Sequence, residues 1–260
     1  RAVDDTFTSL QGDGGTTGHY DADLRLDFEY GTETRTLDIR LAPFRNGERE
    51  KILVVARDVT ERHESQRRLG RERDALRKVQ TVMADETLDT DERLTGLLEI
   101  GARTLDLDIG IVSAVEGDEY AVRTVYGPEA DIEPGDCFDL ESTYCEMVLG
   151  QDSVCSFADA PSAGMDSHPA YTAFDLHSYI GVPLVVNGER YGTLNFSSPE
   201  PRVDSFQALE RTFVELLAEL VSTELFRGRH RAELERQQFL FDQVQETADI
   251  GIWEYDVATE

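Results

Sequence analysis

The chain reads as an α+β protein, an antiparallel sheet with helices packed on it, and three observations carry that reading. Ser178-Tyr-Ile-Gly-Val-Pro-Leu-Val-Val186 is apolar and β-branched, and Arg190-Tyr-Gly-Thr-Leu-Asn-Phe196 follows across Asn187-Gly188. That dipeptide is the two-residue signal of a type I′ hairpin turn. After a Pro-containing loop, Leu209, Phe213, Leu216, Leu217, Leu220 and Val221 recur at the spacing of one helix face. Earlier in the chain, Leu94, Leu97, Leu98, Gly101 and Leu105 form another helix face directly before a pair of strand-like runs.

Taken in order, residues 1–20 are rich in Gly, Thr and Asp and read as a loop. Leu24, Leu26 and Phe28 alternate, as do Leu37, Ile39 and Leu41, and Lys51-Ile-Leu-Val-Val-Ala56 is a third strand, with Asn46-Gly47 as the turn before it. Three strands make a marginal sheet, so this segment reads as the back half of a domain. Asp58-Val59-Thr60-Glu-Arg62 then opens a charged helix. Leu69, Leu76 and Met83 fall seven apart with Val79 between them, the spacing of a short coiled-coil seam. A new domain starts near residue 85. Ile109 to Val115 and Tyr120 to Tyr126 pair around Glu116-Gly117-Asp118, Glu141 to Leu149 is helical, and Val154 to Phe157 is a short strand. Residues 158–176 read as a long polar loop, and loops of that length inside a compact domain are usually functional or disordered. The helix from about 204 is expected to weaken at Arg227-Gly-Arg-His-Arg231 and to resume through Leu234 and Phe241. Ile250, Ile252, Trp253, Tyr255 and Val257 read as the first strand of a further domain.

Composition narrows the class. The 260 residues hold 53 acidic and 25 basic side chains, a formal net charge of −28, and the only lysines are Lys51 and Lys78. The acids are dispersed along the chain, which disfavours direct contact with nucleic acid, because phosphates need basic clusters. Dispersed acid with almost no Lys fits a salt-rich cytoplasm. Screening lengths fall from about 8 Å at 0.15 M to about 3 Å at molar salt, relieving the self-repulsion. Recruitment of a basic partner is the competing reading. Cys137, Cys145 and Cys155 form no CxxC pair and an odd count, against a disulfide framework. No apolar run approaches the roughly 20 residues of a membrane span, and no signal peptide is evident. The chain starts with Arg and is expected to be a cytoplasmic piece of a longer protein.

The Ser178-Tyr-Ile-Gly-Val-Pro-Leu strand, the Gly188-Glu-Arg-Tyr-Gly-Thr-Leu hairpin and the Glu210-Arg-Thr-Phe-Val-Glu-Leu-Leu-Ala-Glu-Leu helix together resemble a GAF domain over roughly residues 85–226. The flanks resemble PAS pieces. Leu37 to Arg57 with the Asp58-Val-Thr-Glu-Arg exit looks like the end of one, and Ala248-Asp-Ile-Gly-Ile-Trp-Glu-Tyr-Asp256 like the start of another. The resulting division is a PAS end over 1–60, a helical linker over 61–84, a GAF domain over 85–227, a helical linker over 228–246 and a PAS start over 247–260. Acidic strings of this kind are similar to halophilic archaeal sensor proteins, where they precede a histidine-kinase core or a DNA-binding domain. The resemblance implies a sensory input module of a cytoplasmic sensor histidine kinase, homodimeric through its linker helices. A transcription regulator with a helix-turn-helix output and a ligand-free dimerisation scaffold are the alternatives.

Candidate residues follow from chemistry. Tyr144, Cys145, Tyr171, Phe174, His177 and Tyr179 supply aromatic and soft polar groups around the long loop, the mix of a small-ligand pocket. Packing of aromatics in the core is the ordinary alternative. Asp58, Val59, Thr60, Leu69 and Leu76 are the candidate signal-transmission residues, Asp58 and Thr60 because they stand where a side chain caps the helix start. Cys145, Cys155, His168 and His177 lack the short paired spacing of zinc sites, and no metal is expected. Cys145 precedes Glu146 and Cys155 precedes Ser156, so neither is followed by the His common in bilin-binding GAF domains. No counterpart of the Asn-Lys-Phe-Asp-Glu motif of cyclic-nucleotide GAF domains is found near Asn195-Phe196, and the cofactor stays unassigned. His63-Glu64 lacks the Pro of a phospho-acceptor motif, and His63 and His230 read as solvated linker residues. With no Gly-x-Ser-x-Gly, P-loop or HExxH, the chain is not expected to be an enzyme.

Overall fold

The computed structural model describes the backbone of residues 22–30, 33–46, 49–127 and 131–248. They fall into two compact units, divided between Arg71 and Glu72.

In the first unit, β1 (Ala22–Tyr30), β2 (Glu33–Asn46) and β3 (Arg49–Asp58) form an antiparallel meander. Asn46 faces Arg49 at the β2–β3 turn, whose two central residues lie outside the described ones. Helix α1 (Thr60–Ala84) follows after one residue, Val59. Asp58 Oδ1 accepts the Thr60 amide at 3.0 Å and the Thr60 hydroxyl at 2.6 Å. Thr60 Oγ1 in turn accepts the Thr36 amide at 2.9 Å, and the Val59 amide donates to Thr36 O at 2.9 Å. Those bonds hold the Asp58 carboxyl below its usual range: the Thr60 hydroxyl first, then the Thr60 amide, with Arg35 adding to them.

The second unit is built on a six-stranded sheet of order β6-β5-β4-β9-β8-β7, every pair antiparallel. Its strands are β4 (Ile109–Glu116), β5 (Glu119–Tyr126), β6 (Cys137–Asp139), β7 (Cys155–Phe157), β8 (Ser178–Val186) and β9 (Glu189–Ser198). The β8–β9 turn is formed by Asn187 at φ 56° and Gly188 at φ 82°, both left-handed as a type I′ turn requires. Helices α2 (Thr90–Leu105) and α5 (Ala208–Ala248) cover one face. Asp89 caps α2 in a reciprocal box with Glu92, satisfying donors at both residues. The core between sheet and helices holds Leu94, Leu97, Leu98, Leu105, Leu184, Leu194, Phe196, Leu217 and Val221, each essentially without solvent contact.

This core reaches back into α1, where Ala75 and Val79 are buried and Val82 and Met83 pack against it. Among the heptad positions, Leu76 is 43% exposed, and the Leu69 side chain lies outside the described residues. The strand read at 250–257 also lies outside them.

Several elements depart from the sequence reading. Helix α5 runs unbroken through Arg227–Arg231. Gly228 weakens a helix by about 1 kcal/mol, but here it permits close packing, since a Cβ on it would stand 3.0 Å from Thr90 Oγ1. Beside it, Glu224 is 1% exposed and doubly paired, with Arg93 Nη1 at 3.3 Å and Arg227 Nη1 at 2.8 Å. Leu209 is 52% exposed; the buried face of α5 is Phe213, Val214, Leu217, Ala218, Val221 and Leu225. The helix read over Glu141 to Leu149 divides into a 3-10 turn (Leu140–Ser142) and α3 (Cys145–Gln151). The loop over 158–176 contains α4 (Pro169–Phe174), started by His168 Nδ1 accepting the Ala170 amide with Pro169 in the first turn, and ended by Asp175 at φ 54°.

Gly192 is the tightest backbone approach in the sheet: a Cβ there would lie 2.0 Å from Ser113 O. Gly192→Ala is expected to lower stability by about 3 kcal/mol, read as a fall in urea midpoint at unchanged slope. Gly150→Ala, with open space around it, should leave the midpoint unchanged or slightly raised.

Candidate functional site

On the face of the sheet opposite α2 and α5, a cavity of about 260 Å³ opens beneath the segment from α3 to α4. The sheet supplies Ile109 and Ile111 from β4, Tyr120 from β5, Phe138 from β6, Tyr179 from β8, and Asn195 and Ser197 from β9. Strand alternation explains the last pair: Leu194 and Phe196 enter the helical core, so Thr193, Asn195 and Ser197 face the other way. Thr143, Tyr144 and Cys145 come from the start of α3, and Ala170, Phe174 and Leu176 from α4 and the residues after it. Asp131, Ile132 and Pro199 complete the lining.

A buried polar network forms the floor. Thr193 Oγ1 donates to Cys145 Sγ at 3.1 Å, and Asn195 Nδ2 lies 3.4 Å from the same sulfur and 3.2 Å from Tyr120 Oη. Tyr179 Oη is 3.4 Å from Cys145 Sγ, and Ser113 Oγ is 2.8 Å from Thr193 Oγ1. Burial pushes the Cys145 thiol up, against the bonds from Thr193 and Tyr179. Burial, then the Cys145 thiol, holds the Tyr120 and Tyr179 phenols well above 10. Tyr144, whose hydroxyl donates to Leu176 O at 3.0 Å, is pushed up to about 12, again mainly by burial. All four groups are therefore neutral near pH 7.

Tyr144, Cys145, Phe174 and Tyr179 line the cavity; Tyr171 and His177 do not. His177 Nδ1 is 2.9 Å from Asp159 Oδ1, its amide donates to Ser198 O, and its ring meets Tyr171 edge-on at 5.0 Å between centroids. It fastens the loop to the sheet. Sequence reasoning missed Tyr120, Phe138, Asn195 and Ser197; the alternation of Leu194 and Phe196 with polar neighbours was the signal available for the last two. Cys155 is buried, with its thiol 3.5 Å from Met147 O, and Cys137 is exposed. Among the described residues, no three His, Cys, Asp or Glu side chains converge as metal ligands.

The His168 ring lies tilted against Tyr144, with centroids 4.7 Å apart. Burial lowers its pKa below the ordinary 6.5, with Glu146 opposing.

An antiparallel sheet with helices on one face, and on the other a cavity under a loop with a short helix, makes this unit an α+β domain that encloses a pocket between sheet and loop. The chain belongs to the GAF domain family, whose model matches residues 87–225. Among solved structures it is similar to the GAF domain of a phosphoenolpyruvate-protein phosphotransferase from Coxiella burnetii. That match has a TM-score of 0.53 at 18% identity and covers 64% of this chain and 98% of that one. It is also similar to the photosensory core module of the Stigmatella aurantiaca phytochrome, with a TM-score of 0.52 at 13% identity. There 86% of this chain spans 48% of the other. At these identities the likeness is one of fold. No curated protein matches the chain. Among the described residues, no helix is long and apolar enough to cross a membrane.

Two outcomes follow, one from the contrast between exposed Cys137 and buried Cys145 and one from the titration of His168. With iodoacetamide at pH 8, Cys137 is expected to be labelled in the folded protein and Cys145 only on unfolding, as read by peptide mass spectrometry; equal rates would mean the floor is open. For His168 the folded pKa is depressed. The neutral ring's stabilisation is therefore complete above the unfolded value of 6.5 and is lost as pH falls through 6.5 towards the folded value. The urea midpoint of wild type relative to His168→Asn, which keeps a capping acceptor, should be flat above about pH 7.5 and fall below 6.5.

Proposed function

We propose that this chain is the small-molecule-sensing input region of a dimeric cytoplasmic sensor histidine kinase, itself without catalytic activity, with the cavity as receptor site and its helices as output. The observation that supports this most is the sharing of β9 between the cavity and the helical core. Asn195 and Ser197 face the cavity, while on the same strand Tyr191 stacks under Arg229 of α5 at 4.5 Å. A ligand that shifts β9 thereby acts on the helix leaving the domain. The coupling needed is about 1–3 kcal/mol.

The Asp58–Thr60–Thr36 bonds give the first unit a comparable connection between sheet and helix, in keeping with a PAS-type exit. Exposed Leu76 on α1 and exposed Leu234 and Phe241 on α5 are seams for pairing with a second copy. The net charge of −28 is in keeping with a salt-rich cytoplasm. A transcription regulator would use the same input, and the two differ in what lies beyond Glu260.

Ala170 is 2% exposed and lines the cavity from α4, so Ala170→Leu puts a larger side chain where the ligand would lie. Protein purified in molar salt is expected to release a stoichiometric small molecule on denaturation, detected by mass spectrometry, and the variant to release none while unfolding cooperatively. Empty wild-type protein, together with unaltered output from the variant in the intact receptor, would leave only a scaffold role.

A further inference from the structure

Two residues of the cavity wall, Asn195 and Ser197, turn polar atoms to the cavity that no hydrogen bond among the described residues engages. Ser197 is 2% exposed, faces the cavity, and its hydroxyl makes no hydrogen bond. Asn195 is 4% exposed; its Nδ2 is engaged by Tyr120 and Cys145, and its Oδ1 is free. A few polar groups facing a largely apolar cavity are what fix a small ligand's orientation. These two stand at positions i and i+2 on one strand face, and both can accept a hydrogen bond.

The charge of the wall limits what fills the space. Among the described residues, no Lys, Arg or His lines the cavity. A buried anion would therefore find no counter-charge among the described lining residues. Among the described lining residues the only carboxylate, Asp131, is exposed, so a buried cation finds no buried partner there either. Aromatic edges and faces define the sides, with Phe138 edge-on to Phe174 at 5.6 Å and tilted to Tyr120 at 6.3 Å. A cavity of about 150 Å³ holds benzene, so this one accommodates about ten non-hydrogen atoms.

We propose that the cavity selects an uncharged aromatic molecule of about ten non-hydrogen atoms that donates an N–H or O–H to Asn195 Oδ1 and Ser197 Oγ, and that it rejects anions. This rests on the cavity being the receptor site. Specificity lies in the two acceptors, because the aromatic wall offers a flat ring good packing but little discrimination.

The test is calorimetric titration of the whole chain, freed of any co-purifying molecule and in molar potassium chloride, with indole, 1-methylindole and indole-3-carboxylate. Indole is expected to bind at one site, and methylation of its nitrogen to weaken binding about tenfold. The carboxylate is expected to show no binding. Ser197→Ala should weaken indole several-fold and leave 1-methylindole unchanged, a difference that loss of folding would not produce. Equal affinity for indole and either analogue, or no binding of indole, overturns the proposal. If indole fails while the native extract yields a stoichiometric anion, the ligand class is wrong and the sensing role stands. If indole fails and both the extract and the Ala170→Leu output test are negative, the sensing role fails with it.

Discussion

The seating of Phe196 is the contact on which the second unit depends. Its ring lies between the sheet and α2, and two glycines make room for it: a Cβ on Gly101 would stand 2.2 Å from the ring and one on Gly110 2.9 Å. With the ring fully buried there, Thr193, Asn195 and Ser197 of β9 have to face the opposite side. One residue of register slip would exchange the two faces, bringing Asn195 into the apolar core and Phe196 into the cavity. The hairpin at Asn187-Gly188 and the close approach of Gly192 to Ser113 O hold that register from either side of the strand.

Cavity and core therefore share one strand and use different chemistry. The helical side is almost wholly apolar, and its stability is diffuse. The cavity side carries Ser113, Thr193, Cys145, Asn195 and Tyr120 as a connected set of bonds. Such a network is intolerant of partial satisfaction. It also explains why Cys145 behaves as a structural thiol: it is held neutral by burial and committed to its neighbours.

Much of this architecture was legible in the chain. The period-two runs and the Asn187-Gly188 turn marked β8 and β9, and the Leu94–Leu105 spacing marked α2, because each pattern is local. The GAF resemblance followed from the same residues. What was not legible depended on partners far away in sequence. Helix α5 continues across Gly228 because Thr90 and Arg93 meet it from α2. Helix α4 was hidden in a polar segment because a histidine, an unusual cap, starts it. Tyr171 and His177 were grouped with the cavity residues by composition, but His177 turns towards Asp159. Asn195 and Ser197 were overlooked because polar residues in a strand ordinarily signal solvent, and here they signal an enclosed space.

The buried carboxylate of Glu224 gives the exit helix a fulcrum. Sliding α5 along its axis would part this charge from Arg93 while it is still enclosed, leaving only Arg227 of the same helix to pair it. Tilting or turning about that point leaves the pair intact. Twenty-four residues separate it from Ala248, a lever of about 36 Å. A tilt of about 10° at the fulcrum moves the far end by about 6 Å over that length, larger than a helical turn. Displacements too small to disturb the packing around Phe196 thus become displacements large enough to repack whatever the helix reaches.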